Sequence, residues 1–111
     1  MIEKTMLDYL TEKLDVPVYL EVPEEAPNTF VVIEKTGSSE KNYIYSATMA
    51  VQSYGASLYA AAELNDRAKL ALQYLPEKAD VVSCSLNSDY NFTDTSTKRY
   101  RYQAVYDIVH Y

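Results

Sequence analysis

The first fourteen positions place Ile2, Met6, Leu7, Leu10 and Leu14 at helical spacing, with Glu3, Lys4, Asp8, Glu12 and Lys13 between them. This pattern predicts an amphipathic helix. Pro17 cannot continue a helix and restricts the residue before it, so the helix is expected to end near Asp15. Val18 to Glu21 reads as a short extended piece, and the following Val22-Pro-Glu-Glu-Ala-Pro-Asn28, with two prolines, reads as a loop.

From Phe30 the pattern changes to a β-branched run, FVVIEK, that suits a strand. Turn chemistry around Gly37, spanning Thr36 to Asn42, predicts a reversal. Tyr43, Tyr45, Ala47, Met49 and Val51 then alternate with Ser46, Thr48 and Gln52 among others, which completes a long antiparallel hairpin. Gly55 marks a switch to a second helix with Ser57 as its N-cap. Ala61, Leu64, Ala68, Ala71, Leu72 and Leu75 form its apolar stripe, and Pro76 stops it. Glu63 and Arg67 are spaced as an i,i+4 ion pair worth a few tenths of a kcal/mol.

The last third is again β. Val82, Cys84 and Leu86 alternate with polar residues, and Tyr100, Tyr102, Ala104, Tyr106 and Ile108 share one face opposite Arg101, Gln103 and Asp107. A polar stretch from Ser88 to Thr97, interrupted by Phe92, is expected to be the connecting loop. The order α-β-β-β-α-β-β predicts an α+β fold in one domain, residues 1–111. Its form is a two-layer sandwich with a mostly antiparallel β-sheet and both helices on one face.

Composition narrows the function. Sixteen acids against ten bases give a net charge of -6, which disfavours a phosphate backbone as partner, since its binders usually carry a basic face. Residues 1–55 hold nine acids and four bases, and residues 56–111 hold seven and six, so the front half carries most of the excess. The charged N-terminal segment lacks the apolar core of a signal peptide, and no apolar run approaches the ~20 residues that span a bilayer. A cytoplasmic protein with no membrane contact is expected.

Catalytic chemistry is sparse in this sequence. His110 is the only histidine and lies one residue from the end of the sequence, where a strand-end role outweighs that of a base needing a positioned partner. Cys84 sits on the apolar side of a strand and reads as a buried thiol, without the electropositive niche of a nucleophile. Gly37 and Gly55 are too far apart for a phosphate-cradling loop. Glu24 with Glu25, and Asp89 with Asp94, lack the ligand spacing of a calcium loop and read as solvated surface. No catalytic residue, cofactor or metal is assigned. A small enzyme is disfavoured because no nucleophile and base pair up.

Twelve tyrosines in 111 residues, with no tryptophan, are the compositional oddity. At positions 43, 45, 100, 102 and 106 they occupy alternate strand positions, where rings pack across strands. Tyr is also enriched in protein interfaces. A base-stacking platform is disfavoured because no basic groove accompanies it.

The full layout resembles the tail terminator (tail completion) proteins of long, non-contractile-tailed bacteriophages and prophages. The resemblance rests on the amphipathic first helix, the proline-broken loop, the hairpin FVVIEKTGSSEKNYIYSATMAVQSYG, the helix ASLYAAAELNDRAKLALQYL and the terminal RYRYQAVYDIVHY. It implies a structural virion assembly protein. Such a protein forms a ring, typically of six copies, on the head-proximal end of the tail tube, stops tube polymerisation and offers a surface for head joining. Its implied partners are further copies of itself, the tail-tube protein and a head-completion or connector protein. Its implied locations are the host bacterial cytoplasm during assembly and then the virion tail. A head-completion protein or a tail-tube protein is the alternative within the same group.

Ring formation needs two different patches per subunit. The Thr36 to Asn42 turn, with Ser38, Ser39, Glu40 and Lys41, and the Ser88 to Thr97 loop, with Phe92, are expected to reach toward neighbours or the tube. The acidic Glu24-Glu25 loop is expected to meet Lys98, Arg99 and Arg101 of an adjacent subunit.

Overall fold

A computed structural model describes residues 1–77, 80–97 and 99–111. Helix α1 (Ile2–Lys13) leads into a two-residue strand β1 (Val18–Tyr19), a long hairpin β2 (Phe30–Lys41) and β3 (Ile44–Gly55), and helix α2 (Leu58–Leu72). A short 3-10 turn (Leu75–Glu77) then precedes β4 (Val81–Asn91) and β5 (Tyr100–His110). The five strands form one sheet in the order β1-β2-β3-β5-β4, with β1 parallel to β2 and every other pair antiparallel. The expected α+β architecture and element order are those observed.

Both helices lie on one face of the sheet and share one core with it. Ile2, Met6 and Leu10 of α1, Leu64, Ala68 and Leu72 of α2, and Ile33, Met49, Val51 and Ile108 of the sheet belong to a single buried cluster. Tyr9, which the helical spacing did not single out, is also buried there, 3% exposed. The Ser57 side chain caps α2 as expected, accepting from Ala60 N at 3.1 Å. The helix stops at Leu72, short of Leu75, because Pro76 lacks an amide and disfavours helical geometry just before it. Leu75 nevertheless stays fully buried within the 3-10 turn.

Gly55 is required by a close approach. A Cβ at this position would meet Ala61 N at 2.5 Å and the Ala60 carbonyl carbon at 2.8 Å, so the end of β3 lies against the first turn of α2.

Two strand boundaries depart from the sequence pattern. The segment 36–41, expected as a turn, remains in β2, with Gly37 opposite Thr48 and Lys41 opposite Ile44. Its polar residues are compatible with an edge strand, where only the backbone must pair and side chains face water. The reversal is a two-residue turn at Asn42 and Tyr43, both left-handed at φ 55 and 66, the requirement of a type I′ hairpin turn. Tyr43 therefore leaves the strand alternation, and Gly37 instead borders a register shift between Lys35 and Gly37.

In β4, register shifts between Val81 and Ser83 and between Leu86 and Ser88 insert Val82 and Asn87 as extra residues. Bulges reverse side-chain parity along a strand. Val81 rather than Val82 enters the core, Val82 is 47% exposed, and the strand continues through Ser88–Asn91, which the sequence pattern assigned to a loop.

Candidate interaction surface

The sheet face opposite the helices carries two adjacent cross-strand rows. Val32, Gln52, Gln103 and Tyr90 face one another in register, and beside them stand Phe30, Tyr54, Arg101 and Phe92. The first row is joined by hydrogen bonds: Gln52 Nε2 donates to Gln103 Oε1 at 2.8 Å, and Gln103 Nε2 donates to Tyr90 Oη at 2.6 Å. Tyr54 Oη donates to Gln52 Oε1 at 3.3 Å and ties the rows together.

The second row is aromatic and cationic. Phe30 and Tyr54 stack with centroids 4.4 Å apart and planes 6° from parallel, and Tyr19 meets Phe30 edge-on at 6.0 Å. The Arg101 guanidinium lies 4.3 Å from the Phe92 centroid, donates from Nε to the Phe92 carbonyl at 2.7 Å and from Nη1 to Tyr54 Oη at 3.0 Å. Two aromatic faces and two acceptors thus hold one cation in place. Tyr90 and Phe92 pack edge to face at 5.7 Å.

Two loops close over one end of this face. The loop between β1 and β2 brings Ala26 against the Phe30 and Tyr54 cluster. The loop between β4 and β5 is tightened by an Asp94 to Arg99 backbone bridge and by Asp94 Oδ1, which accepts from Ser96 N at 3.0 Å and Ser96 Oγ at 2.7 Å. These bonds and those from Thr97 hold the Asp94 carboxyl below its ordinary pKa. Between the loops lies a cleft of about 430 Å³ lined by Val22, Tyr54, Asp94, Thr97, Arg99 and Arg101.

The predicted contact residues separate into two places. Phe92, Arg99 and Arg101 come together at the cleft, whose other wall belongs to the loop that carries Glu24 and Glu25. Both glutamates are exposed, and among the described residues neither forms an ion pair. Lys98 lies outside the described residues. Ser38, Ser39, Glu40 and Lys41 are exposed along β2 rather than in a turn. The two groups sit at opposite ends of β2, in a molecule 44 Å long and about 25 Å across.

The hairpin tip is the second exposed feature. Tyr43 is 84% exposed, and Ile44 and Tyr45 are each 42% exposed. Tyr45 stacks on His110, centroids 5.5 Å apart, so the histidine serves as a strand-end packing partner. Of the other tyrosines expected at alternate strand positions, Tyr106 is buried at 4% and Tyr100 and Tyr102 are half-buried.

Remaining candidates for chemistry fall in ordinary packing positions. Cys84 packs against the core, and burial pushes its thiol up to about 11. Arg67 pairs not with Glu63, the partner its spacing suggested, but with Asp15 in the bend that follows α1. Lys69 reaches Asp89 of β4 at 2.9 Å. Among the described residues no group of three or more His, Cys, Asp or Glu converges for a metal ion, and no helix is long and apolar enough to cross a membrane.

Sequence reasoning overlooked Gln52, Gln103, Tyr54 and Tyr90 as one connected set. Its available signal was the pair of glutamines placed mid-strand among apolar neighbours, but their pairing depends on register between strands 51 residues apart in sequence. No protein-family model matches the sequence, and no curated protein matches it.

Proposed function

We propose that this protein is a structural component of phage tail assembly that caps the head-proximal end of the tail tube as a ring. In this role it stops tube growth and presents the surface for head joining, working in the host cytoplasm and then in the virion tail. The resemblance in layout motivates the reading, and the observation that carries it is the β2–β3 arm.

Each strand of the arm is twelve residues long, and its tip exposes Tyr43, Ile44 and Tyr45 together. Tyr43 holds a left-handed backbone at φ 66, where glycine would be cheaper. An exposed aromatic kept in a strained turn fits a contact residue, since strain persists where function needs the side chain. Beside it, β1 pairs with β2 only at Val31 and Val32, so the distal half of β2 has an open backbone edge among the described residues. An arm and an open edge supply the two unlike patches from which a heterologous contact closes into a ring.

Incubating the purified protein with tail tubes and imaging them by negative-stain electron microscopy tests the reading. Density at one end only is expected. Decoration along the shaft would make the protein a tube component instead, and absence of binding to either end would overturn capping.

A further inference from the structure

We propose that the cleft between the two loops is a carboxylate-binding site, which takes an acidic side chain from a different protein. The site goes beyond the capping role; carboxylate binding is independent of it, and only the assignment of the acid to another protein rests on the ring reading.

The guanidinium of Arg101 is already oriented by the Phe92 carbonyl, the Tyr54 hydroxyl and the Phe92 ring, so little freedom is lost when its remaining donors engage a ligand. Arg99 stands 5.9 Å from the same Tyr54 ring centroid that Arg101 approaches at 5.8 Å. Among the described residues the Arg99 side chain has this ring contact and no ion pair or hydrogen bond. Two neighbouring cations therefore face one cleft, and among the described residues neither is ion-paired.

Among the described residues the acid on the cleft wall is Asp94, whose carboxyl is engaged by Ser96, with Oδ1 accepting twice, and by Thr97. Val22 and the Tyr54 ring add apolar wall, which lowers the local dielectric and strengthens a charge-assisted hydrogen bond. A planar carboxylate matches the fork of a guanidinium and fits a space of about 430 Å³. Polyphosphate is disfavoured by the net charge of -6.

The geometry also bears on who supplies the acid. Glu24 and Glu25 belong to the loop whose Val22 lines this cleft. If they served as ligands between two copies, donor and acceptor would come from the same end of each copy, which suits a reciprocal two-fold contact rather than the one-way contact that a ring repeats. The acid is therefore assigned to another protein.

The test is a nuclear magnetic resonance titration of the isotope-labelled full chain with a blocked oligoglutamate peptide, with inorganic phosphate and short oligothymidylate as separate arms. Saturable shifts are expected at the Arg101 Nε–H and at the backbone amides of Phe92 and Arg99. Arg99→Gln, an exposed position, should keep the fold and weaken the peptide by about tenfold, the worth of one charge-assisted contact. Lys13→Gln on α1 should leave affinity unchanged. Shifts spread over all basic residues, equal affinity in Arg99→Gln, or phosphate or oligothymidylate binding as tightly as the peptide would each overturn the proposal.

Discussion

Gln52 donates its side-chain amide to Gln103 at 2.8 Å across the centre of the sheet, on the face the helices do not cover. Both side chains are nearly buried, at 8% and 9% exposure, and both take part in further bonds to tyrosine hydroxyls. A buried polar group that loses its partner bears the full desolvation penalty, so this belt is a point of sensitivity. Gln103→Leu is expected to destabilise the protein by about 2 kcal/mol. Urea denaturation would measure it, and a Gln52→Leu/Gln103→Leu double variant should recover part of the loss by leaving neither amide unpaired. A change below about 0.5 kcal/mol in the single variant would mean that water replaces the bond readily.

The two glycines should respond in opposite ways to the same substitution. A methyl group at Gly55 collides with the backbone of α2, whereas at Gly37 it would come no nearer than 4.0 Å to Thr48. Gly55→Ala is expected to cost about 1 to 3 kcal/mol, as overpacking does. Gly37→Ala should be neutral or slightly stabilising. Thermal melts of the two variants compare them directly.

Tyr43→Gly relieves a left-handed tyrosine and should stabilise the chain by about 1 kcal/mol. If the tip contacts the tube, the same change weakens end binding, so stability and binding move in opposite directions. A variant that gains stability and caps tubes as well as the parent would remove the tip from the contact.

Burial raises the Cys84 thiol from 9.0 to about 11 in the folded chain. Because the folded pKa lies above the unfolded one, the stability linked to this group is fully present below pH 9.0 and is lost as pH rises toward about 11. Burial raises the Tyr106 hydroxyl as well, which acts in the same direction at still higher pH. The denaturation midpoint is therefore expected to fall through this alkaline window, with a smaller fall in Cys84→Ala. At pH ~8 a thiol reagent should label the native protein far more slowly than the unfolded chain, since the thiolate is the reactive form.

Much of the architecture is legible in the amino-acid order because each element obeys a local rule. The spacing of Ile2, Met6 and Leu10, the hydroxyl of Ser57 ahead of an alanine-rich stripe, and the alternation of Ala47, Met49 and Val51 each encode periodicity or capping within a few residues. Those signals determined two helices, two hairpins and the buried faces of α1, α2, β3 and β5, though not that of β4. They also placed Phe92, Arg99 and Arg101 among the residues of interest, since an exposed aromatic and a basic run stand out in a polar stretch.

What only the tertiary structure decided involves register and partners distant in sequence. A strand and a polar turn have the same composition at positions 36–41, and only pairing with β3 moves the reversal to Asn42 and Tyr43. The bulges at Val82 and Asn87 change which face each side chain meets, and the backbone ladder rather than side-chain type sets them. Arg67 pairs with Asp15, 52 residues away, because the fold brings α2 against the bend that follows α1. The Gln52 to Gln103 belt and the arginine cleft arise in the same way, from side chains whose neighbours are chosen by sheet order, which local periodicity does not contain.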